Sequence, residues 1–77
     1  MGKNRIPVTA VTSSQIEAIG YDEETNTLAI LFKSGGLYYY SNFPHDKWME
    51  FSTADSIGSY FYRNIKHRAD LYPYEKQ

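Results

Sequence analysis

A β-hairpin is the strongest folding signal in this chain. Residues 27–32 are apolar at nearly every position, which is typical of a strand buried on both faces, and residues 37–41 form a second strand rich in tyrosine. Between them stands Ser34-Gly35-Gly36, whose adjacent glycines tolerate the positive φ of a tight turn. The pattern predicts two antiparallel neighbours, with residues 27–32 in the middle of the sheet.

A third strand is predicted before the hairpin, at residues 15–21. Ile16 and Ile19 fall out of phase there, and we interpret Gly20 as the position of a β-bulge. Residues 1–12 read as an N-terminal arm that either pairs as an edge strand or stays loose at its first few residues. The segments predicted to be loose are residues 1–5 and 75–77.

Two short helices are predicted to follow the sheet. Pro44 suits the first turn of one helix, and Trp48 and Phe51 lie three residues apart on a stripe that can cover the sheet. Asp55 or Ser56 caps the next helix. Its buried stripe repeats every four residues at Ile57, Phe61 and Ile65. The expected fold is α+β: one domain over residues 1–77, with an antiparallel β-meander of three to four strands and two helices packed on one face.

The amino-acid composition indicates the cellular compartment in which we expect this chain to work. It has 77 residues and no cysteine, which excludes disulfides and thiolate metal sites and favours a reducing, cytoplasmic location. No apolar run approaches the ~20 residues that span a bilayer, and the first residues lack the apolar segment of a signal peptide. Aromatic residues make up 17% of so small a chain, so we hold self-association into a homo-oligomer as a hypothesis.

The charge is balanced in total but unevenly placed. Eight Lys and Arg face nine Asp and Glu, a net charge of −1, so bulk attraction to a long phosphate backbone is not the default expectation. Residues 17–24 hold four carboxylates and no cation, whereas residues 63–68 hold three cations and no carboxylate. One pole is expected to be acidic and another basic.

The residue types argue against catalysis and against a metal or other cofactor. The two histidines, His45 and His67, are far apart in sequence and no cysteine accompanies them, so the common zinc signatures are missing. No Gly-x-Ser-x-Gly elbow for a serine nucleophile occurs. We therefore expect a binding protein and not an enzyme.

Three features favour a phosphate-bearing ligand, each with a structural alternative. Lys33 and Ser34 are either an anion site or an ordinary hairpin tip. The helix start from Ser56 to Ser59 either offers backbone amides to an anion or is a plain N-cap. The cations that follow either meet phosphates or complement the helix dipole. They are Arg63, Lys66 and Arg68.

The strand tyrosines are similarly open to two interpretations. Tyr38 and Tyr40 point one way and Leu37 and Tyr39 the other, so the strand places rings on both faces. One face is expected to be core, and the other is a candidate platform on which a base can stack.

The motifs together resemble the KTSC domain, a family named for its place at the C-terminus of some lysyl-tRNA synthetases and found as free-standing bacterial and phage proteins. The resemblance covers residues 12–74. It is carried by Ser13-Ser14-x-Ile16-x-x-Ile19-Gly20-Tyr21-Asp22, Phe32-Lys33-Ser34-Gly35-Gly36-x-Tyr38 and Ser56-x-Gly58-x-Tyr60-Phe61. It implies a β-meander with helices, no known catalysis and a nucleic-acid-binding role. Tyr39 departs from the pattern, because that position is often basic in the family, and this fits a smaller ligand or a protein surface better.

By the same resemblance, the family's polar positions fall on Ser13, Ser14, Lys33, Ser34, Ser56, Gly58 and Asn64. With the cations and the strand tyrosines, the predicted ligand-binding set is Ser13, Ser14, Lys33, Ser34, Tyr38, Tyr40, Ser56, Gly58, Arg63, Asn64, Lys66 and Arg68. The leading hypothesis is a non-catalytic module for single-stranded RNA or a small nucleotide, cyclic ones included, and it extends to a nucleotide-sequestering sponge of the phage type. The alternative is a protein-interaction module that uses the tyrosine-rich face and Tyr72-Pro73-Tyr74.

Overall fold

An antiparallel sheet of five strands forms the frame of the computed structural model, which describes residues 6–68 and 70–77. The strands lie side by side in chain order: β1 (Thr9–Ala10), β2 (Ile16–Asp22), β3 (Thr27–Phe32), β4 (Leu37–Tyr40) and β5 (Tyr74–Lys76). Between β4 and β5 come α1 (His45–Ser52), α2 (Ile57–Phe61) and a π-helical turn (Tyr62–Lys66) that continues α2. The predicted α+β class is confirmed, with one strand more than expected.

The predicted hairpin is confirmed, and β3 is the central strand. Leu28, Ala29 and Ile30 have no exposed surface. At the turn, the amide of Gly35 donates to the carbonyl of Phe32 at 2.8 Å. Gly35 has a φ of +106°, a region that other residues rarely adopt. The second glycine of the pair needs no positive φ.

The predicted bulge exists but lies elsewhere. The register of β2 against β3 shifts between Ile16 and Ala18, so the extra residue is Glu17 and not Gly20. Gly20 is required for a different reason: a Cβ there would overlap the carbonyl oxygen of Pro7. The N-terminal arm therefore crosses β2 at the one position where no side chain intervenes.

The arm is attached to the sheet from Ile6 onward. Ile6 is 8% exposed and its amide donates to the hydroxyl of Tyr39 at 3.1 Å. Thr9 and Ala10 then pair with β2 as an edge strand, which confirms one of the two interpretations of this segment. Residues 1–5, which were predicted to be loose, lie outside the described residues.

The prediction that residues 75–77 are loose is wrong. Residues 74–76 form β5, in which Tyr74 pairs with Tyr40 and Lys76 with Tyr38. The ring of Tyr74 lies 5.4 Å from that of Tyr40, and the amide of Gln77 donates to the carbonyl of Leu37 at 2.7 Å. The free edge of β4 has unpaired backbone N–H and C=O groups, and β5 pairs with them. The composition of residues 75–77 alone did not indicate this pairing.

The core lies between one face of the sheet and the helices. It combines residues of the sheet with the two predicted helix stripes, and both stripes are confirmed as buried or packed on the core. The buried members include Ile16, Ile19, Leu28, Ile30, Tyr40, Phe43, Phe51, Ile57, Phe61 and Ile65. Trp48 of α1 stacks on Tyr21 of β2 with the ring centroids 5.3 Å apart. The hydroxyl of Tyr21 donates to the carbonyl of Phe43 at 2.6 Å. These contacts fix α1 against the sheet.

Tyr40 is expected to make the fold sensitive to alkali. Burial raises the pKa of Tyr40 to about 12, with further contributions from Tyr74 and Tyr38. The unfolded chain loses this proton near pH 10. The neutral phenol therefore stabilises the fold fully below pH 10, and this contribution is lost as the pH rises from about 10 to about 12.

The measurement is urea denaturation at pH 8 and pH 11 for the wild type and Tyr40→Phe. Phenylalanine keeps the ring and has no proton to lose, so the variant is expected to lose less stability between the two pH values. Equal losses in both proteins would contradict the account.

Candidate functional site

A polar cleft of about 280 Å³ lies between the loop that precedes β2 and the start of α2. We call it the serine–arginine cleft. Its lining residues are Ser13, Ser14, Gln15, Ser56, Gly58, Ser59, Tyr62 and Arg63. Five of the predicted ligand-binding residues are brought together here: Ser13, Ser14, Ser56, Gly58 and Arg63.

Ser13 and Gly58 set how closely the two walls of the cleft approach. The hydroxyl of Ser13 accepts the amides of Gln15 at 3.4 Å and Ile16 at 3.3 Å, which turns the chain into β2. A Cβ on Gly58 would lie 3.1 Å from that hydroxyl oxygen. Glycine therefore allows α2 to pack directly on the turn at Ser13. Ser13 and Gly58 thus have a structural role in addition to lining the cleft.

The start of α2 is a capped helix end. The hydroxyl of Ser56 accepts the amide of Ser59 at 3.2 Å, and the carbonyl of Ser56 accepts the amide of Tyr60 at 3.0 Å. This confirms Ser56 as the cap. The expected row of unpaired amides from Ser56 to Ser59 is wrong at Ser59, since that amide is already used. Side-chain hydroxyls and a guanidinium, more than free amides, make this cleft polar.

Arg63 is the cation of the cleft. In the part of the chain that the structure describes, the ion pairs are His45 with Glu23 at 3.5 Å and Lys47 with Glu50 at 3.8 Å, and neither involves Arg63. Its guanidinium is exposed on the rim of the cleft and has no carboxylate partner among the described residues. It is therefore available to an anionic ligand.

The three predicted cations do not form one group. Arg63 lines the serine–arginine cleft, whereas the ammonium of Lys66 lies 5.0 Å from the centroid of the Tyr62 ring. Arg68 lines a separate groove of about 270 Å³ beside α1. The prediction of a single basic cluster is wrong, because the π-helical turn and the end of the helix spread these side chains around the axis.

Asn64 lines the groove that contains Arg68 and does not line the serine–arginine cleft. The side-chain amide of Asn64 donates to the carbonyl of Tyr60 at 3.2 Å, which satisfies it locally. The hydroxyl of Tyr60 donates to Glu50 at 2.8 Å, and burial together with that bond raises the pKa of Tyr60. Lys47 completes the polar side of this groove, but its ammonium already faces Glu50.

Lys33 and Ser34 lie at the tip of the β3–β4 hairpin, outside the lining of the cleft. The amide of Lys33 donates to the carbonyl of Gln15 at 2.9 Å, so the hairpin tip is bonded to the loop that forms one cleft wall. The described contacts support the alternative interpretation of this segment, a hairpin tip with a structural bond.

The strand tyrosines are core residues. Tyr40 is 6% exposed and meets Phe61 edge-on at 5.9 Å, so it cannot be a stacking platform. Tyr38 is half-buried between Phe32 at 5.5 Å and Tyr74 at 5.7 Å. The platform prediction is wrong for Tyr40, because Phe61 of α2 and the ring of Tyr74 cover it, and the ring of Tyr38 packs against its two aromatic neighbours.

The two tyrosines at the end of the chain differ in how far they are buried. The ring of Tyr72 meets that of Phe43 edge-on at 5.0 Å. Tyr74 packs on β4 and is still 55% exposed. Of the aromatic surface expected for a protein partner, the ring of Tyr72 is therefore used in part inside the fold, whereas that of Tyr74 stays more than half exposed.

Tyr62 and Gln15 line the cleft and were not predicted as site residues. Tyr62 directly follows Phe61 of the buried stripe, so the helical period places it off the core face. It is 52% exposed. This periodicity was the signal that could have identified Tyr62, whereas Gln15 is an ordinary polar residue that only the packing of the two segments brings to the cleft.

The structure adds two negative findings for residues 6–68 and 70–77. No group of three or more His, Asp or Glu side chains there could hold a metal ion. No helix in these ranges has the length and apolar character needed to cross a membrane.

The comparisons with known proteins converge on one family. The model of the KTSC domain matches residues 12–68. An uncharacterized protein of Stutzerimonas stutzeri strain A1501 is 37% identical over 57 residues, which cover 74% of this chain and 80% of the relative. A protein of Tsukamurella paurometabola is 36% identical over 58 residues, which cover 75% and 87%. The crystal structure of a KTSC domain protein from Yersinia pestis matches with a TM-score of 0.86 and 32% identity, over 95% of this chain and 99% of that one.

Proposed function

This chain belongs to the KTSC domain family, and we propose that it is a non-catalytic binding module for a small phosphate-bearing ligand held in the serine–arginine cleft. The single observation that supports this most is the placement of Arg63 among serine hydroxyls. A guanidinium and several hydroxyls are the donors that a phosphate group accepts best, and bonds to charged groups are the stronger ones. No carboxylate is among the lining residues to compete for the arginine.

The size of the cleft favours a small ligand. Pockets for drug-sized ligands occupy roughly 300–1,000 Å³, so a cleft of about 280 Å³ suits a mononucleotide or one unit of a larger nucleotide. The net charge of −1 offers little long-range attraction to a polyanion. We therefore propose a soluble nucleotide of the cytoplasm in preference to a long RNA, in keeping with a capturing or sequestering role.

The lining residues favour binding over chemistry. A serine hydroxyl becomes a nucleophile when a base such as histidine lies within hydrogen-bond reach. The cleft is lined by neither histidine nor acidic residues. The hydroxyl of Ser13 is held by two backbone amides instead.

We expect Arg63→Gln to weaken the binding of phosphate-bearing ligands about tenfold or more. The variant loses charge-assisted hydrogen bonds, which are worth about 1.5–3 kcal/mol each. Arg68→Gln is the matched control, because it removes the same charge from a neighbouring site that lines the other groove. Isothermal titration of both variants with AMP, ADP, a cyclic dinucleotide and a short single-stranded RNA is the measurement.

Salt dependence separates the ligand classes in the same experiment. A small ligand is expected to lose affinity gradually as salt rises, whereas a strand that releases many counterions loses it steeply. If none of these ligands binds, or if Arg68→Gln weakens binding as much as Arg63→Gln, the proposed site is wrong. A stable complex with a protein partner and no nucleotide binding would favour the interaction-module alternative.

A further inference from the structure

We infer that the ring of Tyr62 is the platform on which the base of the ligand stacks, which makes the ligand a nucleotide and not a phosphate ester of another kind. This inference rests on the proposed function, since it adds a second subsite to the same cleft. Among the residues that line the cleft, Tyr62 is the one with an aromatic ring, and it is 52% exposed. It directly precedes Arg63, so the platform and the phosphate-binding cation come from one helical turn.

The ring of Tyr62 is held in place before any ligand arrives. The ammonium of Lys66 lies 5.0 Å from its centroid, and the ring of His67 meets it at 87° with the centroids 4.9 Å apart. A side chain with such contacts has less rotamer freedom to lose on binding. Lys66 also places a second cation over one face of the ring, where it complements the charge of a nucleotide, and Lys66 itself does not line the cleft.

The π-helical turn explains why these side chains meet. In a π-helix the bonds run from residue i to i+5, so residues 62 and 67 align along the axis more closely than in an α-helix. Tyr62 and His67 are five residues apart and in contact. Such turns often occur at functional sites, and this one lies at the rim of the candidate cleft.

Other aromatic rings of the fold do not offer an equivalent surface at the cleft. Tyr40 meets Phe61 of α2, Tyr38 lies between the rings of Phe32 and Tyr74, and none of these rings lines the cleft. The position expected for base stacking therefore moves from the strand to the helix. The ligand would have its phosphate at Arg63 and its base at Tyr62.

The test compares AMP with ribose 5-phosphate and inorganic pyrophosphate by isothermal titration. The wild type is expected to bind AMP about tenfold more tightly than ribose 5-phosphate, within the range of one base stacked on an aromatic ring. Tyr62→Leu is expected to remove this difference, so that AMP binds no more tightly than ribose 5-phosphate. Tyr62→Phe keeps the ring and is expected to retain the wild-type preference.

The outcomes separate the inference from the proposed function. If the phosphates bind in an Arg63-dependent manner but AMP gains nothing, the inference is overturned and the proposed function stands. If Tyr62→Leu weakens all three ligands equally, Tyr62 shapes the cleft and is not a base platform, which also overturns the inference. If none of the three binds the wild type, the inference is overturned, and the titrations with ADP, a cyclic dinucleotide and RNA decide the proposed function.

Discussion

Phe43→Ala is expected to lower the free energy of unfolding by about 3–5 kcal/mol, which is the cost of replacing a buried aromatic ring by a methyl group. Phe43 is 1% exposed and its ring contacts those of Tyr21, Phe51 and Tyr72. Its amide donates to the carbonyl of Asn26 at 2.8 Å. The residue thus joins the β2–β3 turn, α1 and the segment that leads to β5.

A loss of this size would leave little stability. Domains have about 0.05–0.15 kcal/mol of stability per residue, so roughly 4–12 kcal/mol is available here. Urea denaturation followed by tryptophan fluorescence measures the change, because Trp48 lies on α1. Met49→Ala on the same helix is the control, since Met49 is 51% exposed and is expected to change stability by less than about 0.5 kcal/mol. Similar losses in the two variants would show that Phe43 is not part of a packed core.

Gly20→Ala has the second largest expected effect. Its Cβ would overlap the carbonyl oxygen of Pro7, which is backbone and cannot rotate away. Either the sheet distorts or the arm leaves it, and overpacking of this kind costs about 1–3 kcal/mol. We expect urea denaturation to show a loss of stability. Where the native backbone allows it, Gly→Ala stabilises a protein, because alanine reduces the conformational entropy of the unfolded chain. Here the overlap with Pro7 outweighs that gain.

A double-mutant cycle identifies which of the two responses occurs. Ile6→Ala removes the buried anchor of the arm. If Gly20→Ala displaces the arm, the two losses overlap and their sum exceeds that of the double variant by more than about 0.5 kcal/mol. Additive losses would show that the arm stays in place and the sheet distorts. No loss in Gly20→Ala would contradict the close crossing itself.

The local elements were predictable because their signals are local. The hairpin at Gly35 and the stripe of Ile57, Phe61 and Ile65 depend on turn chemistry and period, which the sequence displays directly. The position of the bulge was not predictable in the same way. Ile16 and Ile19 are out of phase in β2, which indicates an extra residue without identifying it. The pairing with β3 assigns the bulge to Glu17, and the crossing of Pro7 accounts for Gly20.

The candidate site was predictable in part for the same reason. Ser13 and Ser56 belong to motifs, and the sequence indicated both without showing that they face each other across one cleft. Lys66 and Arg68 looked equivalent to Arg63 because they are neighbours in sequence. The helical path directs them to different surfaces, and the period alone could not place them once the helix changes to a π-helical turn.

The central claim is that a nucleotide occupies the serine–arginine cleft, and amide chemical shifts in a titration with AMP test it most directly. We predict that the shifted amides cluster on both cleft walls, at residues 13–15 and 56–63, and that Arg63→Gln reduces these shifts at the same AMP concentration. Shifts centred on the Arg68 groove or on β4 and β5 would contradict the account, as would a spectrum that AMP leaves unchanged.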